Sequence, residues 1–326
     1  MPAPYNSQTT SDELVADYAN IIKDKAVLIT GVTTGSLGHL FVKSIAKENP
    51  AWLILAGRNA EKLSQTAKDI TSINPDVSVR TLRIDLGSLQ SVREAATTVN
   101  SWDDIPAIDV LVNNAAIAAT EFKLSPEGLE LQLAVNYLGP FLFTNLVMKK
   151  VAAAQEPRVV LLSSDGHRLS PFRFGDYNFD GGKMYNRWIA YGQSKTAVML
   201  FAISLAQKLG VNHRLQAYSV HPGASVWTNL LGHLDPNEWA PEYRNMHIQV
   251  GNGWEEVELK TAETAAATHV YAAFDPNLKA NNGSYLLDCH VADPFVDPVK
   301  PWATSNVEAE KLWRLSEKLV GQEFSY

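Results

Sequence analysis

The sequence predicts an α/β fold, a single domain built on a doubly wound parallel sheet flanked by helices. Three observations carry this. Short aliphatic and β-branched runs recur along the first two thirds of the chain, they are continuous rather than alternating in polarity, and helix-sized segments separate them. Continuous apolar runs suit strands buried on both faces, as in parallel sheets. Strands alternating with helices are βαβ units, which close most simply as an open sheet with right-handed crossovers and ligand sites beyond the carboxyl ends of the strands. The 326 residues, 46% of them hydrophobic, supply ample material for such a core and exclude a disordered or fibrous chain.

Taken in order, residues 1–24 read as an N-terminal arm and 25–326 as the domain. Strands are expected at 26–30, 52–56, 77–84, 108–112, 159–163 and 215–220. The intervening helices are expected at 37–47, after glycines, at 60–70, with Leu63, Ala67 and Ile70 at helical spacing, and at 88–99, where Ser88 suits an N-cap. Two more helices, 126–150 and 196–209, carry apolar faces. Two stretches break the rhythm, about 165–188 and 225–260. The second holds Trp227, Trp239 and Trp254 and shows little helix or strand signal between Asp235 and Gly253. It reads as a pocket wall or lid, with a packed surface excursion as the other reading.

The charge is mildly acidic, 28 Lys plus Arg against 35 Asp plus Glu for a net −7, with no block of like charges. Nucleic acid and anionic membranes are disfavoured partners. The single cysteine, Cys289, suits a reducing compartment. The first 25 residues carry Asp12, Glu13 and Asp17 and no apolar core of a signal peptide, and no uninterrupted apolar run reaches the ~18 residues of a membrane span. A cytoplasmic protein with no membrane span is expected. The eight histidines show neither H-x-x-x-H nor paired cysteine spacing, so no metal site is expected. A serine hydrolase is disfavoured by the lack of a G-x-S-x-G elbow.

After the first strand comes Thr30-Gly31-Val32-Thr33-Thr34-Gly35-Ser36-Leu37-Gly38, running into a helical pattern. Glycines at such a point allow a tight turn and let backbone amides approach a pyrophosphate, which the helix N-terminus also attracts. The G-x-G-x-x-G spacing is not matched, so the strand-to-helix context carries the argument. The next strand ends in Ala56-Gly57-Arg58-Asn59, with no acid before Glu61. An acid there would accept from a ribose 2′-hydroxyl, whereas an arginine accommodates a 2′-phosphate. NADP is therefore expected over NAD, with Arg58 as the phosphate partner and Thr33, Thr34 or Ser36 as helpers; a solvated Arg58 at a helix start is the other reading.

In Tyr191-Gly192-Gln193-Ser194-Lys195 a helical i,i+4 spacing puts a phenol and an ammonium on one face. A tyrosine with a pKa of about 10 exchanges protons sluggishly near neutrality unless a nearby cation favours its phenolate, and Lys195 supplies one. Upstream, Arg158-Val159-Val160-Leu161-Leu162-Ser163-Ser164 ends a buried strand in hydroxyls.

These features, with Asp85-Leu86, Asn113-Asn114-Ala115-Ala116, Asn136 and Pro222-Gly223 in the same order, resemble the short-chain dehydrogenase/reductase family over about residues 24–290. More narrowly the chain is similar to fungal members related to retinol dehydrogenase and the WW-domain oxidoreductases. The resemblance implies a Rossmann-like domain and a reaction in which hydride moves between NADPH and a carbonyl or secondary alcohol of a fairly apolar small molecule. It implies that Tyr191 is the proton donor or acceptor, that Lys195 favours the tyrosinate and holds the nicotinamide ribose, that Ser164 rather than Ser163 orients the carbonyl, and that Asn136 positions a water. For the cofactor it implies contacts from Gly31, Thr33, Gly35, Ser36, Leu37 and Gly38, from Arg58, Asp85 and Leu86, from Asn113 and Ala115, and from Pro222, Gly223, Val226 and Thr228. Asp85 as a helix cap is the other reading of that residue.

Three departures from the family pattern stand out. The glycine segment is one residue longer, with Leu37 where the last glycine belongs, leaving open which of Gly35 and Ser36 meets the phosphate. Ala116 replaces a glycine and needs a negative φ. The approach from Pro222 to Thr228 is also one residue longer. The helices at 126–150 and 196–209 often pair across a two-fold axis in the family, so a homodimer is a further expectation. A redox-silent enzyme on the same fold, a dehydratase, isomerase or cyclase, is the alternative function.

Overall fold

The computed structural model describes residues 5–224, 229–254 and 258–326. Its eight strands are β1 (Ala26–Thr30), β2 (Trp52–Gly57), β3 (Ser78–Arg83), β4 (Val110–Asn113), β5 (Arg158–Leu162), β6 (Gln216–His221), β7 (Tyr285–Leu287) and β8 (His290–Val291). They form one sheet in the order β3-β2-β1-β4-β5-β6-β7-β8, with β8 antiparallel to β7 and the other neighbours parallel. The first six match the strands expected from sequence to within two residues at either end. The last two are three and two residues long, too short to leave a periodic signal.

The strand runs are apolar throughout because the sheet is covered on both sides. Val27 and Ile29 of β1 join one core cluster and Leu28 the other, and the same alternation holds along β2 and β5. The main helices are α1 (Ser11–Asp17), α2 (Leu37–Ile45), α3 (Ala60–Ile73), α4 (Leu89–Asn100), α5 (Gly139–Ala152), α6 (Arg187–His213), α7 (Pro236–Gln249), α8 (Ala267–Phe274) and α9 (Asn306–Val320). Residues of α1, α2, α3 and α8 fill one side of the sheet, and residues of α4, α5, α6 and α9 the other. Side chains of Ser36, Asn59, Ser88, Asn186, Asp235 and Ser305 cap six of these helices, satisfying amides that have no partner within the helix.

Four features differ from the sequence expectation. The arm before β1 contains a packed helix: Thr10 and Glu13 form a capping box, Leu14 and Val15 are buried, and the Tyr18 hydroxyl donates to Asp275 at 2.7 Å. The catalytic-segment helix α6 begins at Arg187, not 196, because Asn186 accepts from the amides of Trp188 and Ile189. A 14-residue helix, α7, occupies the stretch that showed little regular signal. Pro241 lies inside it and lacks the amide for an i−4 bond, which obscures the pattern. Finally, a C-terminal helix not expected from sequence, α9, packs on α5 and α6: Trp313 meets Phe141 of α5 edge-on at 5.0 Å and Phe201 of α6 at 6.1 Å, and the Tyr137 and Ser316 hydroxyls lie 2.6 Å apart. Residues Leu131–Ala152 make a helical stretch long and apolar enough to cross a membrane by composition, but 89% of its apolar window is buried in this core.

Candidate active site

At the carboxyl ends of the strands, where the order reverses between β1 and β4, opens a cleft of about 1510 Å³. A pocket for one drug-sized ligand is roughly 300–1,000 Å³, so this one has room for two molecules side by side. Its floor is the turn from β1 to α2. Gly31 has φ +77, and a Cβ there would stand 2.7 Å from the Ala115 Cα. Gly38 is equally closed: its Cβ would meet the Gly31 carbonyl oxygen and Asn114 Nδ2 at 2.6 Å. Gly38 thus makes the close approach that the displaced glycine of the family pattern would make. Ser36 caps α2, and its hydroxyl donates to the Gly31 carbonyl at 3.0 Å. Asn114 ties the turn to β4 through Nδ2 bonds to the carbonyls of Thr30 and Gly31, both 2.8 Å. Ala116 does not adopt a positive φ, so its methyl is accommodated.

Gly31, Thr33, Ser36, Leu37, Arg58, Asp85, Leu86, Ala115, Pro222 and Gly223 all line the cleft. At the end of β2, Arg58, Asn59 and Lys62 line the cleft. Asp85 is exposed to the cleft and accepts from the Gly87 amide at 2.9 Å, while Ser88 caps α4, so the capping reading of Asp85 does not hold. Three of the expected cofactor residues do not line the cleft: Gly35 is solvent-exposed, and Gly38 and Asn113 are buried. Gly35, at φ +82, turns its amide to His39 Nδ1. Gly38 is enclosed as described. Asn113 is buried and donates to the Thr144 hydroxyl at 2.9 Å. Val226 and Thr228 lie outside the described residues.

Ser164, Tyr191 and Lys195 meet on the opposite wall. Ser164 lies two residues past β5, and its hydroxyl accepts from the Gly166 amide at 3.1 Å, capping the short turn that follows. Ser163 points the other way, its buried hydroxyl donating to the Lys195 carbonyl at 2.9 Å and so holding α6 against β5. One turn apart on α6, Tyr191 and Lys195 bring the ammonium to 5.5 Å from the phenol ring centre. Lys195 Nζ donates to the Leu162 carbonyl at 2.8 Å. Burial pushes the Tyr191 phenol up to about 12 and the Lys195 ammonium down to about 7. Burial therefore disfavours the phenolate and the ammonium alike while both groups are enclosed in this wall. Asn136 sits in a π turn, Ala134–Leu138, behind the wall. Its amide exchanges two 2.9 Å bonds with the main chain of Ile117 and donates to the Ser194 hydroxyl at 2.9 Å. It clamps the β4 loop to the residue preceding Lys195.

Sequence reasoning missed several neighbours. Gly166 gives the Tyr191 ring its place, since a Cβ there would be 2.7 Å from Cε1. Asp165 pairs with Arg168 at 3.1 Å. Burial raises the Asp165 carboxyl, but His221, Arg168 and His167 outweigh it and leave it below the usual carboxylate range. Beyond Tyr191 the wall turns aromatic: α7 presents Trp239, Tyr243 and His247, with Trp188 4.8 Å from Tyr243 and Trp254 5.7 Å from His247. Trp239 and Trp254 are the tryptophans expected on a pocket wall; Trp227 is outside the described residues.

Comparison with known proteins agrees with this architecture. Residues 25–239 match the short chain dehydrogenase family model. The chain is 31% identical to human retinol dehydrogenase 11 over 91% of its own length and 86% of that protein's. It is 32% identical to the short-chain dehydrogenase/reductase prx1 of Penicillium rubens over 97% and 92%. Among solved structures, an uncharacterised protein from Mycobacterium paratuberculosis superposes with a TM-score of 0.70 at 27% identity, covering 94% of this chain and 96% of that one. A fold wound around this cleft and a family match over most of the chain lead to one conclusion: the chain belongs to the short-chain dehydrogenase/reductase family, a family of oxidoreductases.

Proposed function

We propose that the protein is an NADP-dependent oxidoreductase that transfers a hydride between the nicotinamide and a carbonyl or secondary alcohol of a fairly apolar small molecule. The observation that carries the reading is the meeting of Ser164, Tyr191 and Lys195 on one wall of a cleft whose floor is a glycine turn at a helix N-terminus. A dinucleotide fits the residues present: the turn runs into the N-terminus of α2, and Gly31 and Gly38, where a Cβ would clash, hold it close against Asn114 and Ala115. Arg58 with Lys62 favours a 2′-phosphate at the end of β2, where no acid precedes Glu61. When bound, the nicotinamide supplies or accepts the hydride at the substrate carbon.

The chain's own groups handle the oxygen. In reduction Ser164 donates a hydrogen bond to the carbonyl oxygen and the Tyr191 Oη–H bond breaks as its proton passes to that oxygen. The phenolate left behind is stabilised by the Lys195 ammonium and is reprotonated from solvent; oxidation runs the same steps in reverse. Asn136 acts as a positioning residue, through Ile117 and Ser194. The aromatic wall of Trp188, Trp239, Tyr243 and Trp254 with Leu231 and Leu234 suits an apolar substrate, and retinol dehydrogenase 11 is a relative named for an alcohol. The buried lone cysteine fits a cytosolic setting.

The test is NADPH and NADH oxidation at 340 nm across aldehydes and bulky ketones, with Tyr191→Phe as the blank. NADPH loss that depends on Tyr191 is expected. A Phe variant that keeps substantial turnover removes Tyr191 from its role, and silence with both cofactors despite measured NADPH binding favours a redox-silent reaction in the same cleft.

A further inference from the structure

Lys260 joins three distant parts of the chain at the rim of the cleft. Its ammonium donates to the Ser7 carbonyl at 2.5 Å and pairs with the Asp288 carboxylate at 2.6 Å. Its stem crosses Gly223, where a Cβ would stand 2.7 Å from both Cγ and Cε, and its amide donates to the Ala224 carbonyl at 2.8 Å. The side chain is 11% exposed. Beside it, Gln8 Nε2 donates to Glu258 Oε1 at 3.1 Å. The Ser7 carbonyl is presented by a preformed turn, with Thr9 N bonded to the Asn6 carbonyl and Gln8 N to Asn6 Oδ1. Burying an ammonium is costly unless partners compensate it, and here both partners, Ser7 and Asp288, line the cleft.

We propose that Lys260 is a positioning residue that latches the Ser7–Gln8 turn and the chain after β7 across the nicotinamide end of the dinucleotide, so that the cofactor leaves only when the latch opens. This rests on the cofactor reading of the cleft given above. The latch consists of rim hydrogen bonds, which open locally at far smaller free energies than the core. With its three anchors in place the wall is preorganised for the ligand; without Lys260, the turn and the Asp288 segment must be ordered on binding.

The experiment uses the full-length protein. NADPH dissociation is followed by stopped-flow fluorescence with excess NADP⁺ as chase, and hydrogen exchange is measured over residues 5–10 with and without NADPH. In Lys260→Met the dissociation rate and the KM for NADPH are expected to rise about tenfold, the effect of one charge-assisted bond, and kcat to change far less. Exchange protection of residues 5–10 by NADPH is expected in the wild type and lost in the variant. Lys260→Arg, which keeps the charge, is expected to recover most of the effect, as a merely space-filling role would not. Asp288→Asn, which leaves the Ser7 bond, gives a smaller rise and decides the matter if Lys260→Met does not fold. Dissociation rates within twofold of wild type in both variants overturn the latch. A wild-type chain that binds no NADPH overturns the cofactor reading itself, and that outcome is read before any variant is compared.

Discussion

Lys195→Met should stabilise the protein while it abolishes turnover. The lysine is 2% exposed, and burial lowers its ammonium from the ordinary 10.5 to about 7. At 1.36 kcal/mol per tenfold, that difference makes the folded state less stable by about 5 kcal/mol wherever the ammonium is charged in both states. Losing the 2.8 Å bond to the Leu162 carbonyl removes about 1–3 kcal/mol, so the methionine variant should gain roughly 2–4 kcal/mol at pH 6.5. The pH dependence has a definite sign. Below about pH 7 the lysine is protonated folded and unfolded, and the full cost applies. Between about 7 and 10.5 the unfolded chain keeps a proton that the folded chain has released, so wild-type stability rises with pH across that window. By pH 9.5 the remaining cost is about 1 kcal/mol, and the variant's advantage should be gone. Urea unfolding at the two pH values reads this directly: with an m value of about 3 kcal/mol/M the midpoints should differ by about 1 M at pH 6.5 and coincide at pH 9.5. A variant no more stable than wild type at pH 6.5, or a gap that does not change with pH, refutes the reasoning.

Arg58→Glu should weaken NADPH by about 100-fold, since it removes a cation and adds an anion beside the 2′-phosphate, and should leave NADH within about threefold; equal losses for both, by fluorescence titration, defeat the 2′-phosphate assignment. Ser164→Ala and Ser163→Ala should separate in kcat rather than in stability. The first should lower kcat by about 10²-fold, because its hydroxyl lines the cleft, while each should cost about 1 kcal/mol, the first through its cap on the Gly166 amide and the second through its bond to the Lys195 carbonyl, with a smaller effect of the second on kcat.

The strands from β1 to β6 were legible because burial on both faces leaves an unbroken apolar run, a signal that needs no tertiary information. The edge of the sheet was not. In β7 the three residues Tyr285–Leu287 carry no period, and β8 exists only because His290–Val291 folds back on it. For α7 the information was present but masked. Trp239, Tyr243, Met246 and Val250 fall at helical spacing and join one packed cluster, yet Pro241 in the middle argues for a break. Packing of that face into the cluster around Ala119, Leu169 and Trp188 offsets the lost hydrogen bond. The arm before β1 carried a readable signal as well, Thr10-x-x-Glu13, which is a capping-box spacing and marks the start of α1.

The candidate site divides along the same physical line. Tyr191 and Lys195 were readable because one helical turn forces them onto a common face, and the Ser163–Ser164 hydroxyls because a strand end delivers them; both are local geometry, whereas the choice of Ser164 came from the resemblance. Contacts that depend on the closure of the fold left no such mark. Lys260 reaches Ser7 across 253 positions and Asn136 grips Ser194 across 58, and neither spacing has a periodicity to reveal it. Glycines show the boundary most clearly. A shifted glycine in the β1–α2 turn looked like a departure from pattern, but once Asn114 and the Gly31 carbonyl are in place, position 38 has no room for a Cβ, whatever the register of the motif. The constraint belongs to the packed turn rather than to the spacing, so Gly38→Ala should disturb the cradle even though Gly38 is not on the cleft wall.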